Sequence, residues 1–219
     1  MIVMTRIKAF CWPLCAVLIL AFPITAASAA SSQSWDFSVL LDGDKIGYHR
    51  FELTDFGGER RVRSEAKFDV RVLFINAFRY RHENTEVWSD GCLSKIDART
   101  QANGKKFAVS GTRVQGEFVV DDGSQMNALS DCVMTFAYWD PEFLQQPKLL
   151  NSQSGEYLDV EVESLGTKPI TVRGQEMTAS AYRLTAKKMQ LTLWYSTDNE
   201  WLALESVAKG GRIIRYELT

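Results

Sequence analysis

The alternation of charged and uncharged residues from Arg61 to Trp88 constrains the fold more than any other feature of this sequence. Even positions carry mostly apolar, aromatic or small side chains, and many odd positions carry charged ones. A period of two residues is typical of a β-strand with one buried face. The run of about 28 residues is too long for one ordinary strand of ~3 to 10 residues, and the pattern slips at Leu73 and Ile75. It therefore predicts two long strands, separated by a bulge or a tight connection near Phe74 to Ala77.

Strand signals fill most of the remaining sequence. Asp42-Gly43-Asp44 predicts an early hairpin, and Asn103-Gly104 is the strongest two-residue turn signal. Alternating segments separated by short turns return from Tyr157 to Leu218. About 11 to 13 strands are too many for one flat sheet. The sequence therefore predicts an all-β fold with a large curved antiparallel sheet, in the form of a half-barrel or open barrel.

One helix interrupts this pattern. Asp140 is a suitable N-cap, Pro141 suits the first helical position, and Glu142 places an acidic side chain in the first turn. Pro147 would interrupt the helix soon afterwards. The sequence therefore predicts one short helix near residues 141–146.

The first 29 residues have the pattern of a secretory signal peptide. Arg6 and Lys8 form a basic segment, residues 9–22 form an apolar one, and Ala27-Ser28-Ala29 matches the cleavage pattern. The apolar run is shorter than the ~20 residues that a membrane-spanning helix needs. We expect cleavage to leave a single β-rich domain, residues 30–219, that is periplasmic or secreted and has no transmembrane segment.

Two of the four cysteines, Cys92 and Cys132, belong to the predicted mature chain. In an exported protein such a pair is expected to form one disulfide, and two free buried thiols are the alternative. Two cysteines with His49 and His82 match none of the usual zinc spacings, so no metal site is predicted.

The charge balance argues against nucleic acid as a partner. The sequence has 25 basic and 27 acidic residues, with both signs interspersed and a net charge of −2. A nucleic-acid-binding protein typically has a basic patch or stripe instead.

Several motifs together resemble a known group of proteins. They are His82 to Trp88, Gly91-Cys92-Leu93, Tyr138-Trp139-Asp140-Pro141, Leu193-Trp194-Tyr195, Trp201 to Glu205, and Tyr216. As a set they resemble an uncharacterised family of secreted bacterial proteins, a domain of unknown function that covers nearly the whole mature chain. The strand order is also similar in shape to the Lol-type half-barrels that carry lipoproteins. This resemblance implies a curved sheet wrapped partly around a short helix, with an apolar concave face.

The pattern places His82 and Glu86 on the same strand face as Tyr80 and Trp88. A few polar groups among aromatic ones are typical of a ligand pocket. Alternatively, they form a hydrogen-bonded structural set, or a register shift turns them to solvent. Residues four apart on a strand are ~13 Å apart, which argues against a catalytic pair of His82 and Glu86.

Aromatic residues provide the second part of the predicted site. They line a groove for an apolar ligand in one interpretation and fill an ordinary core in the other. The predicted ligand-binding residues are Tyr80, His82, Glu86, Trp88, Tyr138, Trp139 and Trp194.

The preferred hypothesis is a non-catalytic protein that binds an apolar or lipid-like ligand on the concave face of its sheet. A structural or protein-interaction module of the cell envelope is the alternative, and an envelope hydrolase is a more remote one. The sequence has no G-x-S-x-G motif and no phosphate-binding or dinucleotide-binding motif, so no catalytic residue and no cofactor is predicted. An apolar cavity of at least ~300 Å³ would favour the preferred hypothesis.

Overall fold

The computed structural model describes residues 30–72, 75–187 and 189–219. The predicted signal peptide, residues 1–29, lies outside this part of the chain, and so does Phe74, the first residue of the bend predicted near Phe74 to Ala77. No helix in the described ranges is long and apolar enough to cross a membrane.

The described chain contains fifteen β-strands. They are β1 Ser31–Leu41, β2 Asp44–Asp55, β3 Glu59–Val72, β4 Ile75–Ser89, β5 Cys92–Ala102, β6 Lys105–Val114, β7 Glu117–Asp121, β8 Met126–Leu129, β9 Lys148–Leu150, β10 Tyr157–Asp159, β11 Glu161–Val172, β12 Gln175–Ala186, β13 Met189–Tyr195, β14 Trp201–Val207 and β15 Ile213–Leu218.

Thirteen of these strands form one antiparallel sheet, which confirms the predicted fold class. Its order is β11-β12-β13-β14-β15-β1-β2-β3-β4-β5-β6-β7-β8, while β9 and β10 form a separate pair. The sheet consists of two meanders that meet where β1 pairs with β15, with Val39 opposite Tyr216. Because β11 and β8 are the ends of this order, the sheet is open and not closed into a barrel.

The two long strands predicted from the alternation are β3 and β4. Val62, Ala66 and Phe68 face inward and are buried, as the period of two requires. The pairing of β3 with β4 shifts register between Val70 and Arg71. The irregularity in the sheet therefore begins slightly before the predicted bend.

The predicted helix is a single 3-10 turn, Pro141–Gln145. The Asp140 carboxylate caps it by accepting a hydrogen bond from the backbone N–H of Glu142, at 3.2 Å, and Phe143 is fully buried. A second 3-10 turn, Lys209–Gly211, was not predicted. Pro147 leaves too few residues for regular α-helical hydrogen bonds after Asp140.

Residues 130–160, here called the cover segment, pack over the inner face of the sheet. The segment contains the first 3-10 turn and the β9–β10 pair. Its buried residues Val133, Phe143 and Leu149 join the same hydrophobic cluster as Phe37 and Leu93 of the sheet. The main core therefore lies between the sheet and the cover segment.

The cover segment is attached to β5 and β13. Cys92 and Cys132 are joined in a disulfide with their Cα atoms 5.0 Å apart, and the Leu93 N–H donates to the Val133 carbonyl at 2.9 Å. The Tyr195 hydroxyl donates to the Tyr138 carbonyl at 2.8 Å. These bonds hold the segment at two opposite places on the sheet.

Candidate functional site

The register of neighbouring strands builds one wall of a cavity. His49 in β2 pairs with Ala66 in β3, Ala66 pairs with His82 in β4, and His82 pairs with Thr100 in β5. Neighbouring strands lie ~4.8 Å apart, so the backbones of the two histidines are separated by roughly 10 Å. The two histidines, far apart in the sequence, therefore belong to one row on the inner face.

The next row along the strands explains why space remains above this wall. Phe51 pairs with Ser64, and Ser64 pairs with Asn84. Strand β3 thus places the small side chains of Ala66 and Ser64 between larger ones on β2 and β4. A trough follows β3, and its depth is set by the difference in side-chain size.

The cover segment lies over this trough and leaves a partly covered cavity of about 180 Å³. The cavity is lined by His49, Phe51, Val62, Ser64, Tyr80, His82, Asn84, Glu86, Phe136, Ala137, Tyr138, Trp139, Asn151, Ser152, Gln153, Met189 and Tyr216. Its walls are both aromatic and polar, and no Lys or Arg is among these residues.

Both histidines are buried and each contacts a hydroxyl group. His49 Nδ1 lies 3.3 Å from the Tyr216 hydroxyl, and His82 Nδ1 lies 2.8 Å from the Thr100 hydroxyl. Burial lowers the pKa of His49 well below its usual value, with a further contribution from His82. Burial also lowers the pKa of His82 to about 4. Both imidazoles are therefore neutral near pH 7.

Glu86 is the buried carboxylate of the site. It accepts hydrogen bonds from Asn84 Nδ2 at 2.8 Å and from Trp88 Nε1 at 3.0 Å, and a third from the Thr135 side chain. Burial raises the pKa of Glu86, and these three hydrogen bonds oppose that effect. Glu86 therefore fixes the Asn84 amide in one orientation and ties β4 to the cover segment.

Two buried polar atoms in the cavity-lining residues have no hydrogen-bond partner in the described part of the chain. They are His49 Nε2 and Asn84 Oδ1. His49 is 9% exposed and Asn84 is 8% exposed. An unpaired polar atom this deep costs ~1 to 3 kcal/mol, so each of these atoms needs a water molecule or a ligand.

Contacts at the rim hold the cavity closed. The Tyr80 hydroxyl donates to Gln153 Oε1 of the cover segment at 3.0 Å. Arg60 forms an ion pair with Asp140 at 2.9 Å and lies over the Trp139 ring at 4.9 Å. These contacts come from β3 and β4, the strands that also form the floor.

An open groove of about 620 Å³ lies beside the cavity. His82 and its partner Thr100 line this groove together with Phe107 and Arg99. His82 lines both spaces, so this residue lies between the cavity and the outer groove.

The structure brings together five of the seven predicted ligand-binding residues. Tyr80, His82, Glu86, Tyr138 and Trp139 all line the cavity. That they bind a ligand stays a prediction.

The other two predicted residues lie elsewhere. Trp88 is fully buried in the core, where its indole N–H supports Glu86 and its ring meets Trp139 edge-on. Trp194 packs in a separate cluster with Ile170 and Ala179, and Arg215 lies 5.8 Å from its ring centroid. Trp88 thus supports the wall, whereas Trp194 packs on the opposite face of the sheet from the cavity.

Sequence reasoning missed His49, Asn84 and Tyr216 as members of the site. His49 alternates in phase with Phe51 and Leu53 on β2, so its inward direction could be predicted from the period of two. Its proximity to His82 depends on the register of two strand pairs, for which the sequence has no local signal.

The arrangement does not resemble a catalytic triad. His82 contacts the Thr100 hydroxyl, but Glu86 is hydrogen-bonded to Asn84 and Trp88 and not to a histidine. A triad requires a third group that orients the base, and a histidine with a pKa of about 4 is a weak base at neutral pH. In the described ranges, no three His, Cys, Asp or Glu residues cluster closely enough to hold a metal ion.

Comparisons with known proteins give a family and a fold. A family model described as a domain of unknown function, DUF6134, matches residues 37–219. No curated protein matches the chain. A crystal structure of a beta-barrel-like protein of domain of unknown function DUF1849 from Brucella abortus is similar over 85% of this chain and 94% of that chain, with a TM-score of 0.63 and 8% sequence identity. At this identity the likeness concerns the fold alone.

Proposed function

The chain belongs to the DUF6134 family of unknown function, and we propose that it is a non-catalytic binding protein that encloses a small ligand in its concave cavity. The observation that carries this proposal is the pair of unpartnered atoms, His49 Nε2 and Asn84 Oδ1, in residues lining the cavity. Most buried polar atoms in native structures have a hydrogen-bond partner, and a bound ligand would supply one to each of these two.

The cavity favours a small ligand over an acyl chain. Its volume of about 180 Å³ is below the ~300 to 1,000 Å³ of pockets for drug-sized ligands. Its walls include two histidines, two asparagines and a glutamate, and an acyl chain cannot form hydrogen bonds with them. The expected apolar or lipid-like ligand is therefore replaced in this proposal by a smaller and more polar one.

We further propose that the protein acts in the periplasm or outside the cell. The proposal rests on the predicted signal peptide and on the joined Cys92 and Cys132, because disulfides persist mainly in oxidising compartments.

A protein-interaction module is the second candidate, since β8 and β11 are unpaired edges of the sheet. Both edges are protected against pairing with another strand. β8 has only four residues, and β11 has a register shift at Ser164 to Gly166 and contains Pro169. The cavity therefore supports a function better than the edges do.

Native mass spectrometry tests the proposal on protein exported to the periplasm and purified without detergent. We expect an added mass that organic extraction removes. Ser64→Leu should fill the trough and abolish this mass, while Ser110→Leu, on an exposed part of β6, should retain it. Ala137→Leu fills the same space from the cover segment. It therefore provides an independent test if Ser64→Leu does not fold. An added mass retained in both filled variants would contradict binding in this cavity.

A further inference from the structure

We propose that the ligand is a small uncharged ring compound with a hydroxyl group, of the phenol type. This inference rests on the proposed function and identifies the chemical class that the same cavity would take. The two unpartnered atoms, the charges of the walls, and the size and shape of the space each point to this class.

Asn84 requires a hydrogen-bond donor from the ligand. Its Nδ2 donates to the Glu86 carboxylate at 2.8 Å, so the unpartnered atom in the amide is the carbonyl oxygen Oδ1. An amide oxygen only accepts hydrogen bonds. A hydrocarbon ligand would leave this oxygen unpaired, whereas a ligand that donated a hydrogen bond to it would gain that interaction.

His49 adds a second polar requirement. Its Nδ1 faces the Tyr216 hydroxyl, and the tautomer set by that contact decides whether Nε2 donates or accepts. A hydroxyl group can do either, whereas an ether only accepts and an ammonium only donates. A ligand hydroxyl is therefore compatible with both tautomers of His49.

The charges of the walls disfavour ionised ligands. An anion would find no Lys or Arg among the lining residues and would lie near Glu86. A cation would find the Glu86 carboxylate already holding hydrogen bonds from Asn84 and Trp88. Transferring a charge to a site lined by buried side chains without a free counter-charge is costly, so the cavity favours an uncharged molecule.

The size and shape of the cavity favour a single ring. A buried cavity of ~150 Å³ is known to hold benzene, and this one measures about 180 Å³, which leaves room for a polar substituent. The flat side chains of Tyr80, Tyr138 and Trp139 line it. Aromatic rings pack well against such surfaces, in stacked or edge-on arrangements.

Isothermal titration calorimetry of the ligand-free full-length mature protein tests the inference with phenol, toluene, benzoate, benzylamine and decanoate. We expect phenol to bind roughly tenfold more tightly than the other four, because the hydrogen bonds to a buried polar atom contribute on the order of that factor. Asn84→Leu and His49→Phe should each reduce the preference for phenol over toluene, by roughly tenfold. Ser64→Leu should abolish phenol binding, and Ser110→Leu should leave it unchanged.

The outcomes separate this inference from the proposed function. Equal or tighter binding of toluene, benzoate, benzylamine or decanoate, lost in Ser64→Leu, would overturn the phenol-type class and retain a binding cavity. Retention of the full phenol preference in both Asn84→Leu and His49→Phe would also overturn the class. If none of the five compounds binds and native mass spectrometry finds no added mass, both proposals fail together.

Discussion

Two regions of the same sheet bury their inward-facing positions with different chemistry. In β12–β14, here called the apolar wall, these positions hold Leu184, Leu191, Leu193, Tyr195 and Leu204. In β2–β5, here called the polar wall, buried positions also hold His49, Ser64, His82, Asn84, Glu86 and Thr100. Among the described residues of β12–β14, no His, Ser, Thr, Asn, Gln or charged residue is buried.

The comparison indicates that the polar wall contributes less to the free energy of unfolding than the apolar wall does. Both walls face the same cover segment and follow the same period of two, so topology does not explain the contrast. Burying a polar side chain costs free energy unless hydrogen bonds compensate, and two atoms of the polar wall have none in the described chain. Such departures from apolar packing are expected at functional positions.

The disulfide should give the largest effect, since it fixes the cover segment to the end of the polar wall. Cys92 and Cys132 are 40 residues apart, and a loop of this size predicts a loss of about 4 kcal/mol in the free energy of unfolding when both are changed to serine. Urea unfolding of the oxidised protein and of the double variant measures it. Stoichiometric thiol labelling of unfolded, non-reduced protein after export would show that the bond does not form.

A cavity in the apolar wall should have the next largest effect on stability and none on the ligand. Leu193 is fully buried, so Leu193→Ala should lower the free energy of unfolding by about 3 kcal/mol. The Kd for the ligand should remain within twofold of wild type, measured by calorimetry where the variant is fully folded. A large rise in Kd would mean that the two walls are coupled and that their contrast is not functional.

Acid should destabilise the polar wall specifically. Because burial lowers the pKa of His49 and holds that of His82 at about 4, the unfolded chain binds more protons below pH 6.5. Stability should therefore fall as the pH falls from 6.5 toward 4, by about 1.4 kcal/mol per pH unit for each histidine.

Unfolding measured between pH 7 and pH 5 checks this dependence. The raised pKa of Glu86 has the opposite effect on the free energy of unfolding, since it favours the folded state as the pH falls. His82→Phe should flatten the curve, and Leu193→Ala should keep its slope. An unchanged slope in His82→Phe would show that His82 is not held neutral by its surroundings.

The hydrogen bond at the rim should have the smallest effect. Tyr80→Phe removes the donor to Gln153 and should cost about 1 kcal/mol of unfolding free energy, while ligand dissociation becomes faster. Tyr182→Phe in β12 is the matched control for loss of a phenolic hydroxyl. A double-mutant cycle with Gln153→Ala should show a coupling energy of about 0.5 to 1 kcal/mol. A coupling energy of zero would show that this hydrogen bond does not help to hold the cover segment over the cavity.

The sequence predicts well which side chains face inward. It predicts poorly which residues become their neighbours in the folded protein. Val62, Ala66 and Phe68 are buried as their alternation predicts, because the period of two is a property of the strand itself. The meeting of His49 with His82 depends on pairing across three strands, which only the tertiary fold decides.

The two aromatic residues that lie outside the cavity do so for different reasons. Leu191, Leu193 and Tyr195 of β13 face the core, so Trp194 packs on the other face, as the period of two requires. Trp88 keeps the inward direction of Glu86 and is fully buried in the core. Its place beyond the cavity depends on where the cover segment packs, for which the sequence has no local signal.

Because β1 pairs with β15, the middle of the sheet can form only after the last described strand has been synthesised. β1 lies in the middle of the sheet, yet its second partner is the last of the fifteen described strands. During synthesis, β1 therefore presents a free edge until the final segment arrives, and such edges pair readily with other chains. Contacts this distant in sequence also slow folding, so a chaperone that shields β1 until β15 emerges would protect this protein at its most vulnerable stage.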